Sequence, residues 1–316
     1  MIRPLRYAGL LCAALLCLAV FGGIASSQAQ VQVDIAMKRS LFIVYEPILV
    51  TVTITNLSGK ELLLVDNPQH KWFGFQVETL DGRPLPPVGG NYLNEPIALG
   101  SGQKISRTVN LTPLFPIGEF GSYRIKANVF VAESNRYFSS PSLNIEITDG
   151  KVLWNKTVGV PEGEPGSGST RSISLLAHRL PQSNYLYLRI EDKPNGVVYC
   201  THQLGRFLSF GEPDIMLDQA NQIHILQNSA PKTFIYTKVG LNGKVIGQKT
   251  YNEFSTRPGL RRVVDGSVAI VGGQVYDPVA AEAERQKISS IGDRPVPLPG
   301  ASPTPKEKRP DNLLSE

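Results

Sequence analysis

From residue 47 to residue 56 the chain reads Pro-Ile-Leu-Val-Thr-Val-Thr-Ile-Thr-Asn. Ile48, Val50, Val52 and Ile54 alternate there with Leu49, Thr51, Thr53 and Thr55. A period of two with one apolar face predicts a half-buried strand whose outer face is polar. The signal recurs over Glu61–Val65, Trp72–Thr79, Gln103–Leu111, Tyr123–Val131 and Leu143–Thr148, with turn pairs such as Asp81-Gly82 between runs. No helical period competes over residues 31–148, and this spacing predicts about eight strands in an antiparallel sandwich.

A second pattern follows. Asn221–Tyr251 reads as short strands, with Ile223 and Ile225 alternating with His224 and Leu226, then an aromatic, β-branched run from Phe234 to Val239. Asn242-Gly243 is expected to supply the two positive-φ positions of a tight hairpin turn. About fifty residues earlier the plan recurs, with Tyr185–Ile190 as the aromatic strand and Asn195-Gly196 as the turn. The echo predicts that Tyr187 matches Tyr236, that Gly196 and Gly243 are structural glycines, and that His178 and His224 take similar places. Arg261–Val264, Asp265-Gly266 and Ser267–Val271 read as a last hairpin.

Between the two patterns, Pro161–Thr170 is rich in Gly, Pro and Ser and offers nothing apolar to bury, so residues 151–170 are expected to be a linker. Trp154, just before it, is expected to pack back on the sandwich. Asp277-Pro278 suits a helix start, and residues 278–291 are expected to form one short helix. Residues 292–316 carry six prolines and little to bury, and read as a disordered tail.

Several stretches have familiar wording. Glu46-Pro47 before a strand ending in Asn56-Leu-Ser-Gly59, Phe75-x-Val77-x-x-x-Asp81-Gly82, Leu99-Gly-Ser-Gly102 and Gly121-Ser-Tyr123 together resemble a bacterial immunoglobulin-like module. The likeness spans roughly residues 33–148 and is similar to intracellular proteinase inhibitors and macroglobulin-type sandwich domains. Within it Gly121-x-Tyr123 fits a tyrosine corner, making Tyr123 a structural residue. Pro213–Leu226 resembles the strand, Asp-x-x-Asn turn and strand of β-propeller blades. Two such units are too few to close a ring of at least ~4 blades, so a self-contained β domain over 171–277 is expected.

The chain has 316 residues and a formal charge of +5, which falls to +3 once Arg3 and Arg6 are removed. Such scattered positive charge argues against a nucleic-acid partner. Arg3 and Arg6, an apolar run, and Ser27-Gln28-Ala29 read as a signal peptide over 1–29, placing the mature chain, 30–150 and onward, in a secreted or periplasmic compartment. The alternative is an uncleaved anchor; no other stretch is long enough to span a membrane. Cys200 is then the sole cysteine of the mature chain, expected as a buried small hydrophobe rather than a nucleophile activated by His202.

Searching for chemistry finds no nucleophile elbow, zinc-protease motif, paired cysteines or phosphate loop. His178 and His224 are expected to be outward or half-buried strand residues rather than a metal pair, which lacks further ligands. Glu212, Asp214 and Asp218 are expected as turn acceptors rather than paired carboxylates. Asn56, Asn110 and Asn155 match a three-residue glycosylation pattern that recurs by chance. No catalytic, cofactor or metal residue is assigned and no cofactor is expected. The reading is an exported, non-catalytic binding or scaffolding protein whose partner is a protein or polysaccharide of the cell envelope. Alternatives are an envelope-polymer hydrolase with its site in the second domain, and a proteinase inhibitor through the first, although the export signal departs from an intracellular inhibitor.

Overall fold

A computed structural model describes residues 31–88, 94–209 and 211–278, and within them the protein is all-β. The expected signal peptide, the tail, and the helix over 278–291 beyond its first residue lie outside the described residues.

In the first part, Val31–Ala36, Leu49–Asn56 and Lys104–Asn110 form one antiparallel sheet. A second sheet is centred on Gly121–Val131, flanked by Phe73–Thr79 and Leu143–Thr148. Leu41–Ile43 joins its edge parallel to Leu143–Thr148. Val50, Val52 and Ile54 from the first sheet meet Val77, Ile125 and Ile145 from the second in one buried core, which is where the period of two sends them. The polar face forms its own ladder: Thr51 bonds Thr108 at 2.9 Å and Thr53 bonds Ser106 at 2.8 Å across the strands. Tyr123 is buried and its hydroxyl donates to the Glu119 carbonyl at 2.8 Å. Asn56 is also fully buried, its amide donating to the carbonyls of Lys60 and Leu99, so it pins a turn.

The second part is a set of small antiparallel sheets in a blade-like arrangement. Lys151–Gly159, Thr170–Leu180, Ser183–Asp192 and Val197–Arg206 make a four-stranded sheet in sequence order. Asp214–Leu217, Ile223–Ala230, Thr233–Val239 and Val245–Asn252 repeat that order, with Gln274–Val275 added at the edge, and a hairpin of Gly259–Arg262 and Val268–Val271 follows. Ile173, Leu175, Leu186 and Leu188 of the first sheet pack on Ile223, Ile225 and Val239 of the second. Leu226 and Phe234 point the other way, onto Leu260 of the hairpin. The middle strands are therefore covered on both faces, which explains the nearly continuous burial along Arg171–Leu176, Leu186–Ile190 and Ile223–Gln227.

Four expectations are corrected. Residues 151–170 are no open linker: Lys151–Gly159 is a strand, and the Gly-rich segment is the loop joining it to its antiparallel neighbour. Val160 N–H bonds the Ser169 carbonyl across the base of that loop, and buried Arg171 reaches Ser169 and pairs with buried Asp192 at 3.0 Å. Composition marks a loop but not which elements it joins, and the chain passes between its two parts at Asp149-Gly150. Trp154 packs against the core of the second part, not on the first. His178 and His224 are both buried, at 6% and 2% exposure, because a layer covers each face of their strands. The hairpin turns place only the glycines at positive φ, 66° at Gly196 and 81° at Gly243, with register shifts beside each turn. In each turn the glycine N–H bonds back to the carbonyl three residues earlier, Gly196 to Lys193 and Gly243 to Gly240, and such a turn closed by a glycine bulge needs one left-handed residue rather than two.

Tyr123→Phe is expected to destabilise the chain by about 1 kcal/mol, the usual loss for one intramolecular hydrogen bond. Thermal unfolding checks this, and an unchanged transition counts against the corner.

The two glycines should differ. A Cβ at Gly196 meets nothing within 4 Å, whereas one at Gly243 falls 2.8 Å from Cys200 Cβ. Gly196→Ala should cost about 1–2 kcal/mol from backbone conformation alone, and Gly243→Ala more, with chemical denaturation as the measurement. Equal losses would deny the contact with Cys200.

Candidate functional site

The first sheet of the second part presents Leu176, Tyr185 and Tyr187 to Ile43 of the first part. Around this apolar contact lies a belt of polar groups, buried at Glu46, His178, Tyr187 and Arg189 and exposed at Asp149 and Gln203. Arg39 pairs with Glu46, which also accepts the Ile43 amide at 3.2 Å. The Tyr187 hydroxyl accepts from Arg39 at 3.2 Å and from Gln203 at 2.8 Å. Arg189 donates to the Val44 carbonyl at 2.9 Å and to Asp149 at 3.1 Å, and Thr148 bonds His178 at 2.9 Å. Together these hold the Ile43–Glu46 turn, in which Tyr45 takes a φ of 64°. A non-glycine residue is strained there and persists only where its surroundings over-determine it.

Burial pushes the Glu46 carboxyl up, against the pull of Arg39 and the Ile43 amide. The Tyr187 phenol is pushed up to about 12 by burial and by the Glu46 charge. The Tyr187 phenol therefore acts as a fixed hydrogen-bonding group at neutral pH. Beside the belt opens a groove of about 730 Å³, walled by Met37, Phe42, Pro47 and Leu49 from one part and by Thr201, His202 and Gln203 from the other. Pockets of this size at a seam between structural units are frequent ligand sites.

A second concavity of about 520 Å³ lies where the two blade-like sheets part. A β-bulge between Val152 and Trp154 sets Trp154 opposite Leu175, and bulges of this kind re-aim side chains. Arg179 and Asn184 face each other at the end of the neighbouring hairpin. Phe207 floors the cleft, and Glu212 stands on the connection to the second sheet.

The residues singled out from sequence fall in separate places. Tyr187 faces Leu176 and Tyr236 faces Leu226, but the register shift between Asn228 and Ala230 leaves them one residue out of step relative to their hairpin turns. The histidines do not match: His178 faces Tyr185 near its turn, whereas His224 faces Lys238 farther along its strand. His224 bonds Asp218 at 3.1 Å and Tyr236 at 2.8 Å within the second sheet, while His178 belongs to the seam. Burial by itself would raise the Asp218 carboxyl, but His224, the Gln222 amide and Lys238 hold it below the usual range. Asp218 also accepts the Ala220 and Gln222 amides, and Asp214 accepts the Leu260 amide at 2.9 Å. One oxygen of each is thus committed to the backbone and the other Asp218 oxygen to His224, and Glu212 alone of the three lines the cleft.

Cys200 is a free thiol, pushed up to about 12 by burial, and His202 turns to the Gly243 carbonyl at 2.7 Å. A thiol so far above neutrality is a poor nucleophile. Among the described residues no group of three or more His, Cys, Asp or Glu side chains is placed to hold a metal ion, and no helix is long and apolar enough to cross a membrane.

Sequence reasoning missed Arg39, Glu46 and Arg189. One signal was present: Arg189 interrupts the apolar run Tyr-Leu-Tyr-Leu-Arg-Ile, and a charge in a doubly covered strand demands a partner. No family model, curated protein or solved structure matches the chain.

Because burial raises the Glu46 carboxyl, the fold favours its protonated form. The resulting stability is complete below the ordinary value of 4.5 and is lost as pH rises through the raised one. Glu46→Gln cannot ionise, so its melting temperature should improve relative to wild type as pH climbs through that window. A difference that stays flat or runs the other way overturns the assignment.

Proposed function

We propose that this chain is an exported, non-catalytic binding or scaffolding protein of the cell envelope, an immunoglobulin-like sandwich carrying a blade-built β domain. The immunoglobulin-like reading is supported by the two sheets facing one core, by the parallel pairing of Leu41–Ile43 with Leu143–Thr148, and by the Tyr123 bond to Glu119. The single observation that carries the binding role is the groove of about 730 Å³ at the seam, which draws walls from both parts. A belt of hydrogen-bonded charges fixes those walls relative to each other, so the groove is preorganised and a ligand need not order it. Its apolar wall of Met37, Phe42 and Leu49 gives contact area, and Thr51, Thr108 and Gln203 give directional polar contacts.

Export and binding are tested separately. N-terminal sequencing of the mature chain should begin at Gln30; an intact Met1 in the membrane fraction would indicate an anchor instead. For binding, envelope extract is passed over immobilised wild type and over Thr108→Trp, which places an indole in the groove. One envelope component retained by wild type and lost from the variant supports the reading. Equal retention by both, or none by wild type, refutes it.

A further inference from the structure

The cleft between the two blade-like sheets is separate from the groove at the seam and has a different chemistry. We propose that it binds a saccharide ring bearing a carboxylate, of the uronic-acid type, with the ring on Trp154 and the acid group toward Lys151 and Arg179.

The geometry supports each part of that ligand. Trp154 is half-exposed, and the bulge before it turns its ring onto the inner face, where Phe207 continues the apolar floor. A flat, partly wet indole above an apolar floor suits a ring with one C–H face and hydroxyls around its edge. Around the mouth stand Lys151, Arg179, Asn184 and Glu212, whose side chains make no hydrogen bond or ion pair among the described residues. Elsewhere in this part buried Arg171 is committed to Asp192 and half-buried Asp218 to His224, whereas these side chains stand open to a ligand. Four uncommitted polar groups around one aromatic floor offer donors and acceptors to ring hydroxyls.

Charge then selects among sugars. Two cations against the single carboxylate of Glu212 favour an anionic ligand, and a guanidinium forks onto a carboxylate with two parallel hydrogen bonds. Hydrolysis of a glycosidic bond by the usual route needs a pair of carboxylates flanking it. Glu212 is the only carboxylate among the described residues lining this cleft, so the proposed role is binding without cleavage.

The test uses the full mature chain and a galacturonic acid disaccharide as probe. The chain has two tryptophans, and Trp72 is fully buried in the first part, so a ligand-induced change in emission reports Trp154. Titration should shift that emission, and calorimetry should give the same affinity. Arg179→Ala and Lys151→Ala, both at exposed positions, should fold as wild type and each weaken binding by about tenfold, the loss of one charge-assisted contact. Cellobiose, neutral but ring-shaped, should bind more weakly than the diuronate, and citrate, acidic but ringless, should leave the Trp154 emission unchanged. No emission change with the diuronate, equal binding of cellobiose, or a citrate response matching the diuronate's would each overturn the proposal. Thr108→Trp should leave diuronate binding intact, so loss of the seam reading and loss of this one are distinguishable; loss of diuronate binding in that variant would overturn the separate site.

Discussion

The polar groups between the two parts of the chain constrain everything else. Arg39, Glu46, Tyr187, Gln203 and Arg189 lie where a β-sheet is laid against a turn, and a turn offers backbone carbonyls and amides that a sheet face cannot pair. An apolar face there would have left the Val44 carbonyl and the Ile43 amide without partners, at roughly 1–3 kcal/mol each. The polar belt satisfies them, and in doing so holds Tyr45 in a left-handed conformation. The same bonds fix one orientation of the two parts, because few alternative dockings would pair every buried charge. Removing one partner of such a network costs more than the network itself contributes, since the other charge is then stranded.

Layering follows from that docking. The sheet containing Thr170–Leu180 and Ser183–Asp192 is covered by the first part on one side and by the second sheet on the other, and the second sheet is covered in turn by the hairpin from Gly259. Each middle strand therefore buries both its faces and cannot show the clean alternation of Leu49–Asn56. Polar residues in those strands have to be paired inside the stack. His224 with Asp218 and Tyr236, Arg171 with Asp192 and Tyr199, and Arg189 with Val44 are three solutions of that one requirement. Concavities then form where layers diverge: one at the seam, and one where the bulge before Trp154 spreads the two blade-like sheets.

The two concavities divide the chemistry of recognition. The seam groove has walls from two parts and contributes mainly shape and apolar area, with Thr51, Thr108 and Gln203 partly engaged within the fold at its polar edge. The cleft has the reverse balance, with an aromatic floor and side chains that have no internal partner. Among the described residues neither gathers two carboxylates, and Cys200, their sole cysteine, is pushed up to about 12 by burial.

By itself the sequence determined what short-range physics controls. The alternation through Ile48–Ile54 specified a one-sided strand, Phe234–Val239 a second kind of strand, and Gly196 and Gly243 two hairpins, because side-chain direction and positive φ are local properties. The repeat of the strand plan was legible too, although Tyr187 and Tyr236, opposite Leu176 and Leu226, lie one residue out of step. Tertiary structure alone decided what those strands face. The Gly-rich segment after Pro161 looks the same in sequence whether it joins domains or two neighbouring strands, and only the pairing of Lys151–Gly159 with Thr170–Leu180 makes it a hairpin loop. His178 and His224 similarly read as outward residues until a second layer covers their strands, since burial of a strand's far face depends on partners distant in the chain. The groove and the cleft belong wholly to that level: Leu49 and Gln203, or Trp154 and Glu212, become neighbours only when sheets stack.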